Sequence, residues 1–223
     1  MSAPLFHDRV DGGRQLVAVV DALHLADPIV LALPRGGVPV AAEVARVVGA
    51  PLDVVVARKV GAPGQPELGI GAVAEGGGTV VGEVARQMGV TAERFERLAD
   101  LERAELVRRV RIYRGSRPLP DLVGREVVLV DDGLATGVTA EAALRSIRAA
   151  RPSRLVLAVP TAAPDTAARL ARVADDVLAV MTPEPFLAVG RWYVEFDQTS
   201  DLEVLDLLTR AESDHLGSTG PSA

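Results

Sequence analysis

Residues 127–140 read VVLVDDGLATGVTA, and the fold turns on this stretch. Its opening apolar run reads as a buried strand, of the kind found inside a parallel sheet. The strand stops on two adjacent carboxylates, Asp131 and Asp132, and a Gly- and Thr-rich loop follows. A buried strand gains nothing by ending in two like charges, whereas a ligand site at the carboxyl end of an open α/β sheet can use them. A helix opens near Thr139 or Ala140. Its first N–H groups lack intrahelical partners and carry partial positive charge, so they favour a phosphate. Gly137 lets the backbone approach an anion, and Thr136 and Thr139 add hydroxyl donors. The two carboxylates would be repelled by a phosphate; they suit the hydroxyls of a ribose, or a magnesium ion with its waters. No Lys follows Gly137, which excludes a Walker A loop, and the G-x-G-x-x-G spacing of a dinucleotide site is absent.

Outward from this stretch the chain alternates short β-branched runs with longer helical patterns, the signature of a mostly parallel sheet covered by helices. Strands are expected at 29–33, 52–57, 127–130, 155–159 and 177–180, with helices at 13–25 and 37–49. Two regions interrupt the alternation. Residues 60–82 are crowded with Gly and Pro, as in a functional lid. Residues 91–117 form a long helical pattern with eight arginines and five acidic residues, which reads as a solvated helix laced with ion pairs. One domain is expected over residues 1–210. The polar, Gly- and Ser-rich residues 211–223 are expected to be a disordered tail.

The bulk composition limits the function. The chain has 223 residues, 48% of them hydrophobic, enough for one filled core. Its apolar runs are too short to span a membrane and its first residues do not read as a signal peptide, so a cytoplasmic protein is expected. With no cysteine, thiolate chemistry and disulfides are excluded. A formal charge of −6 argues against general nucleic-acid binding. Lys59 is the only lysine among 24 basic residues. Either the chain simply favours Arg, or this position needs a compact ammonium.

The segment VVLVDDGLATGVT strongly resembles the signature of the type I phosphoribosyltransferases: an apolar strand, two acidic residues, then a Thr/Gly loop entering a helix. The resemblance covers roughly residues 5–208. It implies that Asp131 and Asp132 contact the ribose hydroxyls of phosphoribosyl diphosphate (PRPP) and that Ala135, Thr136, Gly137, Val138 and Thr139 hold its 5-phosphate. It implies a core parallel sheet flanked by helices, a small hood from the chain ends (about 1–28 and 184–210) and a flexible Gly-rich lid. Arg35, Gly36 and Gly37, in the turn of LALPRGGVPV, fall where the family has its diphosphate loop. Arg58 and Lys59 fall where it has cationic diphosphate contacts, with catalytic weight shared with the aspartates. The segment RKVGAPGQPELGIGAVAEGG, with IYRG and DDGLATG, looks like a bacterial subgroup with no assigned acceptor.

A hood of this kind usually holds the acceptor base. Trp192, Tyr193 and Phe196 are three of only seven aromatic residues in the chain, and with Asp197 they are candidate acceptor contacts or simply a small core. Ala135 stands where the 6-oxopurine enzymes carry an Asp, which counts against that substrate and leaves the acceptor open. His7, His24 and His215 lie outside every motif. The resemblance implies a Mg2+-dependent transferase releasing diphosphate, with Mg2+ held mainly by substrate and water and by Asp131 and Asp132. Two alternatives stand beside it: a PRPP- or nucleotide-binding regulator of transcription or RNA, and a ribose-phosphate hydrolase. Small-molecule partners, no membrane and a possible homodimer complete the expectation.

Overall fold

The apolar run of the opening stretch becomes the middle strand of a five-stranded parallel sheet. The computed structural model describes residues 6–218. Helix α1 (Arg9–Asp21), strand β1 (Pro28–Ala32), helix α2 (Gly37–Val48) and strand β2 (Leu52–Val54) come first. Strands β3 (Ala57–Ala62), β4 (Gln65–Ala74) and β5 (Thr79–Val81) follow, then α3 (Glu83–Gln87) and the long α4 (Ala92–Arg114). The second half alternates: β6 (Glu126–Val130), α5 (Val138–Ala149), β7 (Arg154–Thr161), α6 (Pro164–Leu170) and β8 (Asp176–Met181). Helix α7 (Asp201–Ser218) closes it.

The parallel sheet has the order β2-β1-β6-β7-β8. Side chains alternate between its faces. Val30, Ala32, Val128 and Val130 pack with residues of α1, α2 and α7, while Ile29, Leu31, Val127 and Leu129 pack with those of α5. Burial on both sides is why these strands read as unbroken apolar runs. From β1 the chain moves outward to β2, and from β6 it moves the other way to β7 and β8. The direction therefore reverses between β1 and β6, where open α/β sheets form a ligand crevice at the strands' carboxyl ends. The loops after β1 and β6 meet there.

Several elements differ from expectation, each for a local reason. Helix α1 begins at Arg9 rather than 13, because the Asp8 side chain accepts the Asp11 N–H at 2.8 Å and caps it. Gly12 and Gly13 are no break. A methyl on Gly13 would lie 2.8 Å from the Val40 carbonyl and one on Gly12 3.2 Å from Tyr193, so the pair lets the helix press on its neighbours. The segment 60–82 is not the irregular lid expected but largely a three-stranded antiparallel sheet, β3-β4-β5. Its glycines serve close packing: a methyl on Gly71 would sit 2.5 Å from the Phe95 ring of α4. Strand β2 ends at Val54, short of residue 57, because the chain leaves the parallel sheet to enter this second one. Helix α7 continues past Arg210 to Ser218, since Arg210 pairs with Asp206 one turn back at 2.8 Å and no Gly or Pro intervenes before Gly217. Residues 219–223 of the expected tail, and 1–5 of the expected hood, lie outside the described residues.

Candidate active site

Strand β6 delivers Asp131 and Asp132 to the crevice. Asp132 Oδ2 accepts from Arg9 Nε at 2.8 Å, and Asp131 Oδ1 accepts from the Asp132 N–H at 2.9 Å. The Tyr193 hydroxyl donates to the Asp132 carbonyl at 2.6 Å. Arg9 is fixed from two more sides, donating through Nη1 to the Asp197 carbonyl at 2.6 Å and lying 3.9 Å over the Phe196 ring. One guanidinium thus faces two carboxylates. Burial pushes the Asp131 carboxyl well above the usual carboxylate range, and the charge of Asp132 adds to this. Burial also raises Asp132, with Arg9 pulling it back. The pair is short of positive charge.

The loop after β1 closes on this pair. It carries a cis peptide between Pro34 and Arg35, then Gly36 and Gly37. A methyl on Gly36 would overlap the Asp132 carboxylate, and one on Gly37 would lie 2.7 Å from the Val130 carbonyl. Only glycine lets this turn sit against the aspartates. On the other side, Gly137 takes a left-handed φ of 63° and caps α5. The first intrahelical bond runs from the Glu141 N–H to the Gly137 carbonyl at 2.8 Å, so the amides of Val138, Thr139 and Ala140 precede it. The loop is braced from behind. Thr166 Oγ1 donates to the Ala135 carbonyl and Arg169 Nη2 to the Thr136 carbonyl, both at 2.6 Å, and Arg169 also pairs with Glu141.

A cleft of about 490 Å³ opens beside Asp132, walled by Arg9, Arg35, Gly36, Arg58 and Arg109, with Val189, Phe196, Gln198 and Thr199. Arg58 on β3 pairs with Glu102 at 2.9 Å and Arg109 with Glu105 at 2.9 Å, both acids on α4. Arg35 lies 3.9 Å from Asp201 of α7. The Tyr113 hydroxyl donates to that same carboxylate at 2.6 Å, and burial with this contact pushes its phenol up to about 12.

The structure brings together Asp132, Arg35, Gly36, Arg58 and Phe196 of the residues singled out in the sequence. Lys59 is not among them. It follows Arg58 on a strand and so faces the other way, its Nζ donating to the Glu67 carbonyl at 3.0 Å within the hairpin. Trp192 and Tyr193 are buried with Phe6, and Phe196 stacks on Tyr193 at 5.0 Å beside Arg9, so these rings serve first as a small core. Asp197 contributes its carbonyl to Arg9 rather than a carboxylate to the cleft. Besides Val189, Gln198 and Thr199, two arginines of the wall went unseen in the sequence, Arg9 and Arg109. Arg9 meets its partner 123 residues away and has no local signature. Arg109 had one: it lies between Leu106 and Tyr113, the buried stripe of α4.

A parallel sheet whose reversal point joins an aspartate pair, a glycine-capped helix start and an arginine–glycine turn sets oxygen acceptors, free helix amides and a guanidinium around one crevice. The chain belongs to the phosphoribosyl transferase domain family, which matches residues 12–182. It is 47% identical over 211 residues to the Mycobacterium tuberculosis protein named "Putative phosphoribosyl transferase Rv0571c", covering 94% of this chain and 48% of that one. The chain therefore spans about half the length of the curated relatives it matches. The crystal structure of TT1426 from Thermus thermophilus superposes with a TM-score of 0.78 at 45% identity, covering 92% of this chain and 98% of that one. The AQ2163 protein from Aquifex aeolicus shares the fold, with a TM-score of 0.51 at 15% identity over 83% of each chain.

Proposed function

We propose that the chain transfers the 5-phosphoribosyl group of PRPP to a nitrogen of a base-like acceptor and releases diphosphate. The observation that carries this is the convergence, at one reversal point, of Asp131–Asp132, the α5 start and the Arg35 loop. Each offers what one part of PRPP needs. The amides of Val138 and Thr139 and the threonine hydroxyls receive the 5-phosphate. Asp131 and Asp132 accept from the ribose hydroxyls and favour positive charge at the anomeric carbon. Arg35, the backbone at Gly36 and Gly37, and Arg58 receive the diphosphate and offset its charge as the bond to the anomeric carbon breaks. The acceptor nitrogen supplies the new bond from the opposite side, within the space bounded by Val189, Gln198 and Thr199 of the hood. The protein's contribution is mainly positioning and charge.

The residues present fit a magnesium ion: two adjacent oxygen-donor side chains share one guanidinium and are held above their usual carboxylate range by burial. Among the described residues no group of three or more His, Asp or Glu could hold a metal by itself, so substrate oxygens and water would complete its shell. When bound, magnesium supplies charge neutralisation to the departing diphosphate.

The arginines of α4 do not favour a nucleic-acid surface. Arg97 pairs with Glu93, Arg103 with Glu96 and Asp100, and Arg108 and Arg109 with Glu105, which cancels much of the field. Among the described residues no helix is long and apolar enough to cross a membrane, and a cytoplasmic site of action suits a PRPP-using protein. The test is diphosphate release from PRPP and Mg2+, first without acceptor and then with each common nucleobase. Release that depends on one base supports transfer and names the acceptor. Release without any base points to a hydrolase, and no release in any mixture contradicts the proposal.

A further inference from the structure

Arg109 sits in a helix whose charges read as solvated, yet it lines the cleft. Arg108, beside it, does not. The two share one carboxylate unequally. Arg108 grips Glu105 with two hydrogen bonds, Nε to Oε2 at 2.7 Å and Nη2 to Oε1 at 2.8 Å, whereas Arg109 gives it only Nε, to Oε1 at 2.9 Å. Among the described residues the Nη1 and Nη2 groups of Arg109 have no acceptor. Glu105 keeps a counter-ion in Arg108 whether or not Arg109 turns to another anion. Its carboxyl is held down at about 2 by these two donors, so it stays charged at any working pH.

Arg109 is also the less exposed of the two arginines. Its side chain is 22% exposed against 57% for Arg108. Across the cleft Arg35 is in the same condition: its closest carboxylate oxygen, on Asp201, lies at 3.9 Å, and among the described residues its guanidinium makes no hydrogen bond. Two partly buried guanidiniums with unspent planar donors, flanking one cleft with Arg58, make a site for a multiply charged oxyanion, since planar forks match phosphate oxygens.

We infer that Arg109 is a diphosphate-binding residue, the α4 contribution to the anion wall formed with Arg35 and Arg58. This rests on the PRPP reading for the identity of the substrate, but not for the chemistry of the wall.

The test measures calorimetric binding of inorganic diphosphate, of PRPP and of ribose 5-phosphate, with Mg2+, to the whole chain and to its Arg109→Gln, Arg109→Lys and Arg108→Gln variants. Circular dichroism checks that each variant is folded. Arg109→Gln is expected to weaken diphosphate and PRPP binding about tenfold or more, the scale of a charge-assisted bidentate contact, and to leave ribose 5-phosphate unchanged. Arg109→Lys recovers part of the loss and Arg108→Gln changes neither. If Arg108→Gln weakens diphosphate binding as much as Arg109→Gln, or if Arg109→Gln binds diphosphate like the parent, the inference is overturned. Diphosphate binding that depends on Arg109 in a protein that ignores PRPP would keep the inference and sink the transferase reading. PRPP and diphosphate binding indifferent to Arg109 would do the reverse, and a parent chain that binds neither anion overturns both.

Discussion

Replacing Arg9 by methionine keeps most of the side chain's volume and removes its charge, which isolates the electrostatic support of the aspartate pair. Three contacts go: the 2.8 Å bond to Asp132, the 2.6 Å bond to the Asp197 carbonyl and the guanidinium over Phe196. A hydrogen bond to a charged group contributes about 1.5–3 kcal/mol and one to a neutral carbonyl about 1 kcal/mol. The cation over the ring adds about 0.5–1 kcal/mol. Contacts made by one group do not sum fully, so a loss of about 3 kcal/mol is expected at pH 8. The loss must depend on pH. Asp132 already has a carboxyl raised by burial, and without Arg9 it rises further. A carboxyl whose folded value lies above its unfolded value, near 3.9, binds more protons when folded, so stability falls as pH climbs through the interval between the two values. The variant has the wider interval and falls further. Towards the unfolded value near 3.9 the charge of the carboxyl matters progressively less, and the contacts of Arg9 to the Asp197 carbonyl and the Phe196 ring come to dominate the difference, about 1–2 kcal/mol. Urea unfolding followed by circular dichroism from pH 4 to pH 8 measures this gap. A gap constant across the range, or one that narrows towards pH 8, would refute the reasoning.

Other changes probe the same crevice. Asp131→Asn removes a carboxyl raised by burial and by Asp132, so it should stabilise the free protein at pH 8 and flatten its decline with rising pH, read by thermal melts across pH, while abolishing PRPP binding. Gly36→Ala puts a methyl into the Asp132 carboxylate and should cost about 1–3 kcal/mol in a urea titration; an unchanged midpoint would show that the loop yields freely. Arg58→Ala should weaken PRPP binding about tenfold and Lys59→Ala less than about threefold, because only Arg58 faces the cleft and Lys59 makes an exposed contact. The reverse order in a binding titration would mean that the hairpin rearranges around the ligand.

What could be read from the sequence was whatever chemistry lies close along the chain. The parallel strands were legible because burial on both faces leaves long β-branched runs, and the 131–139 loop because its carboxylates, Gly137 and threonines are contiguous. Glycine misled where it serves packing rather than turning: Gly12 and Gly13 hid the start of α1, and Gly71 made a packed strand look like loose lid. Arg9 was invisible because its meaning lies in Asp132, far along the chain. Arg109 was masked by the i,i+4 ion pairs around it, although its place beside Leu106 and Tyr113 puts it at the edge of the buried face. The acceptor side stayed unread for a different reason. Trp192 and Tyr193 carry the composition of a base platform, but their rings are spent on Phe6, Phe186 and Phe196.

The most direct test of the account is a calorimetric titration of PRPP, with and without Mg2+, into the chain and into Asp132→Asn. Mg2+-dependent binding to the parent is expected, falling at least about tenfold in the variant, the scale of a lost charge-assisted contact. Equal binding by the two proteins, or none by the parent, would contradict it.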